Sequence, residues 1–128
     1  MNSKLEAAIE EFNRGEYFSA AELFENAAAV ADAADKTFAV TLNRIATGLH
    51  LRFERGGRQA AINLFSQAML TLDQMKPSRD GIDIEVLLTE LHAYTEELRE
   101  TPKDEGEGMK HRARLFLERR RAPKIKRT

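Results

Sequence analysis

At 128 residues with 42% hydrophobic content, the chain has the size and the apolar stock of one domain, which excludes a modular array. With no cysteine it can form neither disulfides, thiolate metal sites nor a cysteine nucleophile, a composition that fits a reducing compartment. The net charge of −1 hides a division: residues 109–128 hold nine basic residues and one acidic residue, net +8, which leaves −9 on residues 1–108.

Apolar residues recur at helical spacing almost throughout, with no sustained two-residue alternation, so the predicted class is all-α. Ser3 and Glu6 have the spacing of a capping box and open a first helix whose buried stripe is Leu5, Ala8, Ile9 and Phe12. Gly15 ends it by taking the left-handed conformation, and a second helix runs from about Tyr17 to Ala33 with Ala20, Leu23, Phe24, Ala27, Val30 and Ala31 inward. A third helix, about Lys36 to Arg55, carries Phe38, Leu42, Ile45, Ala46, Leu49 and Phe53 and is broken by Gly56-Gly57. A fourth, about Arg58 to Met75, turns Ala61, Ile62, Phe65, Ala68, Met69 and Leu72 inward, and Pro77 with Asp80-Gly81 marks the loop after it. Asp83 is placed to cap a fifth helix with the stripe Ile84, Leu87, Leu88, Leu91, Tyr94 and Leu98, which Pro102 ends.

Laying the chain on itself at an offset of 41 residues reveals a repeat. Phe12, Arg14, Gly15, Ala20, Leu23, Phe24 and Ala27 fall on Phe53, Arg55, Gly56, Ala61, Leu64, Phe65 and Ala68. Each unit is a helical hairpin that cannot bury its own apolar face. The expected architecture is therefore a five-helix bundle of two stacked hairpins plus a covering helix, over residues 1–100, able to fold alone. Its Gly, Ala, Phe, Ala spacing is that of a tetratricopeptide hairpin, although the period is 41 in place of 34 and only two copies occur. Residues 101–108 contain no apolar side chain and read as a flexible linker, and residues 109–128 read as a basic tail. In that tail Met109, Ala113, Phe116 and Leu117 would share one face of a short helix. The opening Met1-Asn2-Ser3-Lys4 has no apolar signal character. The longest charge-free run, Gln59 to Leu72, falls short of the roughly 20 mostly apolar residues a membrane span needs, so a cytoplasmic protein is expected.

The segment Phe12-Asn13-Arg14-Gly15-Glu16-Tyr17-Phe18-Ser19-Ala20-Ala21-Glu22-Leu23-Phe24-Glu25 resembles the opening signature of the all-helical family called domain of unknown function 309. Leu49-His50, Arg55-Gly56-Gly57 and Gly81-Ile82-Asp83 followed by Leu87-Leu88 extend the likeness over about residues 5–95. The resemblance implies a fold and a polar groove, not a reaction. Where the family has His, Glu, Trp and Gln this chain has Ala21, Ser19, Ala28 and Val40, so Glu22, Glu25 and His50 are what is left of the polar set.

Sequence motifs for a reaction are missing: there is no His-Glu-x-x-His, no Glu-x-x-His, no phosphate-binding glycine loop and no dinucleotide fingerprint, so no metal and no cofactor is expected. The best constellation is Glu22 and Glu25 on the second helix with Arg44 and His50 on the third. As chemistry, a Glu22–His50 pair would transfer protons in a small enzyme. As structure, the two glutamates are surface carboxylates and His50 is half-buried with a structural hydrogen bond. The expected function is a binding or scaffold module whose inter-hairpin groove holds a peptide or protein partner. The tail, with Lys110, Arg112, Arg114, Arg119, Arg120, Arg121, Lys124, Lys126 and Arg127, admits three readings: non-specific binding of RNA or another polyanion, an acidic protein or membrane contact, or a disordered tail that folds back on the acidic body or merely keeps the protein soluble.

Overall fold

The computed structural model describes residues 3–101 and 109–128 and is mostly helical. Helices α1 (Ser3–Asn13), α2 (Tyr17–Ala29), α3 (Ala33–Arg55) and α4 (Gln59–Asp73) are followed by two-residue strands β1 (Ser78–Arg79) and β2 (Ile82–Asp83). Helices α5 (Ile84–Glu100) and α6 (Met109–Arg119) complete the order. From α1 to α5 each helix packs on the next in the chain. No helix among the described residues is long and apolar enough to cross a membrane.

The 41-residue offset is visible in three dimensions. Gly15 and Gly56 both adopt positive φ, 85° and 68°, at the ends of α1 and α3, a conformation a Cβ would penalise. Ala20 and Ala61, Phe24 and Phe65, and Ala27 and Ala68 are all buried at matching places on α2 and α4. The small residues bring backbones close together. Gly48 on α3 is the extreme case, since a Cβ there would lie 2.6 Å from Phe65 Cε1.

Two local expectations are corrected. The second helix ends at Ala29, because Asp32 caps α3 by accepting from the Asp35 N–H at 3.1 Å, and Val30 is exposed as a result. The Asp80-Gly81 loop is a hairpin turn with both residues at positive φ, which sets β1 and β2 side by side. Asp83 does cap α5, accepting from the Val86 N–H at 3.0 Å.

The largest difference lies at the C-terminus. The expected linker falls almost entirely within 102–108, outside the described residues, but the segment after it is not a separate tail. Ala122 and Ile125 belong to the hydrophobic core together with α1, α3 and α5 side chains. The boundary at residue 100 therefore divides one core. Asn13 clamps the Ile125 backbone from both sides, its Nδ2 donating to Ile125 O at 2.8 Å and its Oδ1 accepting from Ile125 N at 2.9 Å. Asp83 N donates to Lys126 O at 2.8 Å and Thr128 N to Gly81 O at 2.9 Å, so the chain end lies antiparallel beside β2. The segment does lie against the acidic body, but as an ordered helix and chain end and not as the disordered tail expected.

Of the apolar face foreseen for α6, Ala113, Phe116 and Leu117 are exposed. Phe116 is 66% and Leu117 50% exposed, whereas the buried side chain at the end of α6 is Glu118, the one acidic residue of the segment. Its partner is Arg52 of α3, which has no exposed surface. Arg52 Nε donates to Glu118 Oε2 at 3.0 Å and Oε1 at 3.2 Å, and its Nη1 donates to Gly56 O at 3.3 Å. A charge removed from water this completely is tolerable only with such a partner.

Candidate functional site

Helices α2 and α3 diverge on their outer side and leave an open groove of about 380 Å³. Helical periodicity decides what lines it. Phe18, Ala21, Glu22, Glu25 and Ala28 fall on one face of α2, and Val40, Asn43, Thr47 and His50 on one face of α3. Each row spans ten residues, which at 1.5 Å per residue makes a trough roughly 15 Å long. Asn43 Nδ2 ties the two walls by donating to Ala21 O at 2.8 Å.

Glu22, Glu25 and His50 thus line one groove. Arg44 does not join them: it is half-buried on α3, outside the lining. The groove floor is apolar because Ala21 and Ala28 of α2 and Val40 of α3 line it.

The electrostatics are plain. Glu22 and Glu25 are exposed, and neither is hydrogen-bonded or ion-paired to His50 among the described residues. The structural hydrogen bond expected at His50 is replaced by a ring contact, with Phe18 tilted against the imidazole at 5.3 Å between centroids. Proton transfer needs donor and acceptor within about 2.6–3.2 Å, or one water apart. The described residues hold no cluster of three or more His, Asp or Glu suited to a metal ion.

The nine basic residues assigned to a polyanion are sorted by the packing into two groups. Five are engaged by the body. Arg119 donates to Gly15 O and lies over the rings of Tyr17 and Phe53, 5.4 Å from each centroid. Arg121 pairs with Glu97 at 2.6 Å, Lys126 with Glu90 at 3.0 Å, and Arg127 with Glu6 at 3.4 Å, while Lys124 Nζ donates to Asn13 O at 3.1 Å. The free basic tail is corrected to this extent. Arg112 on α6 and Arg120 just after it are exposed, Arg114 is exposed but not free of contacts, and the Lys110 side chain lies outside the described residues.

Sequence reasoning missed the buried polar centre. Tyr94 on α5 lies beside the Arg52–Glu118 pair, and its hydroxyl, like that of Tyr17 on α2, is buried without a hydrogen-bond partner among the described residues. Burial pushes the Tyr94 hydroxyl far above its ordinary value; the Glu118 carboxylate adds to this and Arg52 opposes it. Glu118 is itself raised by burial, with Arg52 opposing. A signal was present in the sequence: Arg52 continues the buried α3 row Leu42, Ile45 and Leu49 at helical spacing.

Comparison with known proteins adds no relative, since no protein-family profile, curated protein or solved structure matches the chain.

Proposed function

We propose that this chain is a non-enzymatic, cytoplasmic binding or scaffold module of the domain-of-unknown-function-309 type. In this reading its two helical hairpins stack in the tetratricopeptide manner, α5 covers the end, and the α2–α3 groove takes an amphipathic helix or peptide from a protein partner. The observation that carries the reading is the groove itself: an open trough with an apolar floor, rimmed by Glu22 and Glu25, in which the carboxylates and His50 make no pair. Helix-in-groove recognition uses such a floor for apolar anchors and leaves the rim to choose the sign of the partner's charge. The acidic rim selects a basic peptide.

The test is an NMR titration of the full chain with two synthetic amphipathic helical peptides, identical on the apolar face and flanked by Arg in one and Glu in the other. Resonances of Ala28, Val40 and Thr47 should shift with the Arg peptide and stay unmoved with the Glu peptide. Shifts confined to other surfaces, or none, would reject the groove. A small enzyme using Glu22 and His50 is the competing class, and a measured activity abolished by His50→Gln in a folded protein would establish it. Polyanion binding belongs to this reading only through the exposed arginines of α6.

A further inference from the structure

The chain carries two unpartnered surfaces of opposite charge, and their shapes correspond. One is the acidic α2–α3 groove. The other is the outward face of α6, where Ala113, Phe116 and Leu117 follow the i, i+3, i+4 spacing of helix-in-groove anchors and are all exposed. Arg112 stands one turn before Phe116 on α6, Arg120 follows the last residue of the helix, and neither side chain has a partner among the described residues. From Arg112 to Arg120 the row is about 12 Å long, which fits within the roughly 15 Å trough. Among the other cations, Arg127, Lys126 and Arg121 are already held by Glu6, Glu90 and Glu97.

We infer that the groove receives α6 of a second copy of this chain, with Phe116 and Leu117 on the apolar floor and Arg112 and Arg120 against Glu22 and Glu25. The inference rests on the groove reading and names its occupant. The docked segment is already a helix, fixed to its own body through Glu118 and Arg119, so little ordering entropy is lost on association. A membrane surface is the poorer fit, since two large apolar side chains give little area to insert. Each copy offers one groove and one helix, so the contact closes as a reciprocal pair or continues head to tail.

Sedimentation velocity on the full chain over a concentration series tests this. Wild type should self-associate, more weakly as salt rises. Glu22→Arg with Glu25→Arg leaves both surfaces basic, and Arg112→Glu with Arg120→Glu leaves both acidic, so each double variant alone should lose association by more than about tenfold. Mixed in equal amounts, the two variants present opposite charges again and should form a hetero-complex. Phe116→Ala should weaken wild-type association by a similar factor. All these positions are exposed, and unchanged circular dichroism verifies the fold. Wild type that stays monomeric, a mixture no heavier than its parts, or an indifferent Phe116→Ala each overturns the inference. If the Arg peptide still titrates the groove of a monomeric wild type, the groove reading stands and only the second-copy occupant falls; if neither occurs, both fall.

Discussion

Arg52 of α3 and Glu118 of α6, 66 positions apart in sequence, form a two-bond ion pair in which the arginine is fully buried and the glutamate 3% exposed. Desolvating both charges offsets much of their attraction, so the pair adds little net stability. Its loss on one side is a different matter, because the surviving charge has nowhere to go. Glu118→Gln should lower the unfolding free energy by about 3–5 kcal/mol in urea melts. Arg52→Met combined with Glu118→Leu should recover most of that loss. A double variant as unstable as the single one would show that the pair itself, not the stranded charge, governs stability.

Removing the C-terminal segment has the same electrostatic consequence and a hydrophobic one. A chain ending at Glu100 strands Arg52 and uncovers the surface beneath Ala122 and Ile125. Its thermal midpoint should fall by well over 5 °C, since about 1 kcal/mol corresponds to roughly that shift in a domain this small. Ile125→Ala isolates the apolar part and should cost about 2–5 kcal/mol. A truncated chain as stable as the whole would mean that α6 and the terminal strand contribute nothing to the core.

Phe24 and Phe65 occupy equivalent buried sites in the two hairpins, so Phe24→Ala and Phe65→Ala should cost similar amounts, about 3–5 kcal/mol each. The symmetry has a local exception at Gly48. Its hydrogen faces the Phe65 ring, and Gly48→Ala should destabilise the fold even though alanine is the better helix former. Combined with Phe65→Leu, the alanine should be better tolerated, which chemical denaturation would show.

The buried tyrosines give the fold an alkaline limit. A phenol whose value is raised in the native state stays protonated there while the unfolded chain loses its proton near the ordinary value of about 10. The unfolded state then binds fewer protons, so stability is intact below about pH 10 and falls as pH rises beyond it. Ultraviolet titration should show phenolate appearing together with loss of helix. Tyr94→Phe removes a hydroxyl with no hydrogen-bond partner and should move that loss to higher pH, without lowering stability at neutral pH by more than about 1 kcal/mol.

What could be read from sequence was whatever repeats. Phe, Gly and Ala at an offset of 41 announce two like hairpins because glycine at a left-handed turn and alanine at a close approach are stereochemical necessities. The groove residues Glu22, Glu25 and His50 were singled out by the resemblance, as what is left of a polar set, and helical spacing adds only that Glu22 and Glu25 share a face of α2. Arg44 was misplaced because spacing fixes a face but not how far a groove extends around it. The C-terminal segment was hidden by its composition. Nine cations among twenty residues read as a solvated tail, and nothing local to Ala122 or Ile125 shows that Asn13, more than a hundred residues away, completes their site. The hairpin strands, two residues each, are too short to show alternation.

A stack of helical hairpins in which each helix touches only its sequence neighbours has two loose ends and can unravel from either. Here the last eleven residues meet α1 at Glu6 and Asn13, α3 at Arg52, α5 at Glu90 and Glu97, and the hairpin at Gly81 and Asp83. Those contacts tie α1, α3, α5 and the β-hairpin to one segment, so that opening any one of them means giving up attachments shared with the others. The molecule should therefore unfold in one step, with calorimetric and van't Hoff enthalpies that agree, where an open array of the same helices would melt in stages.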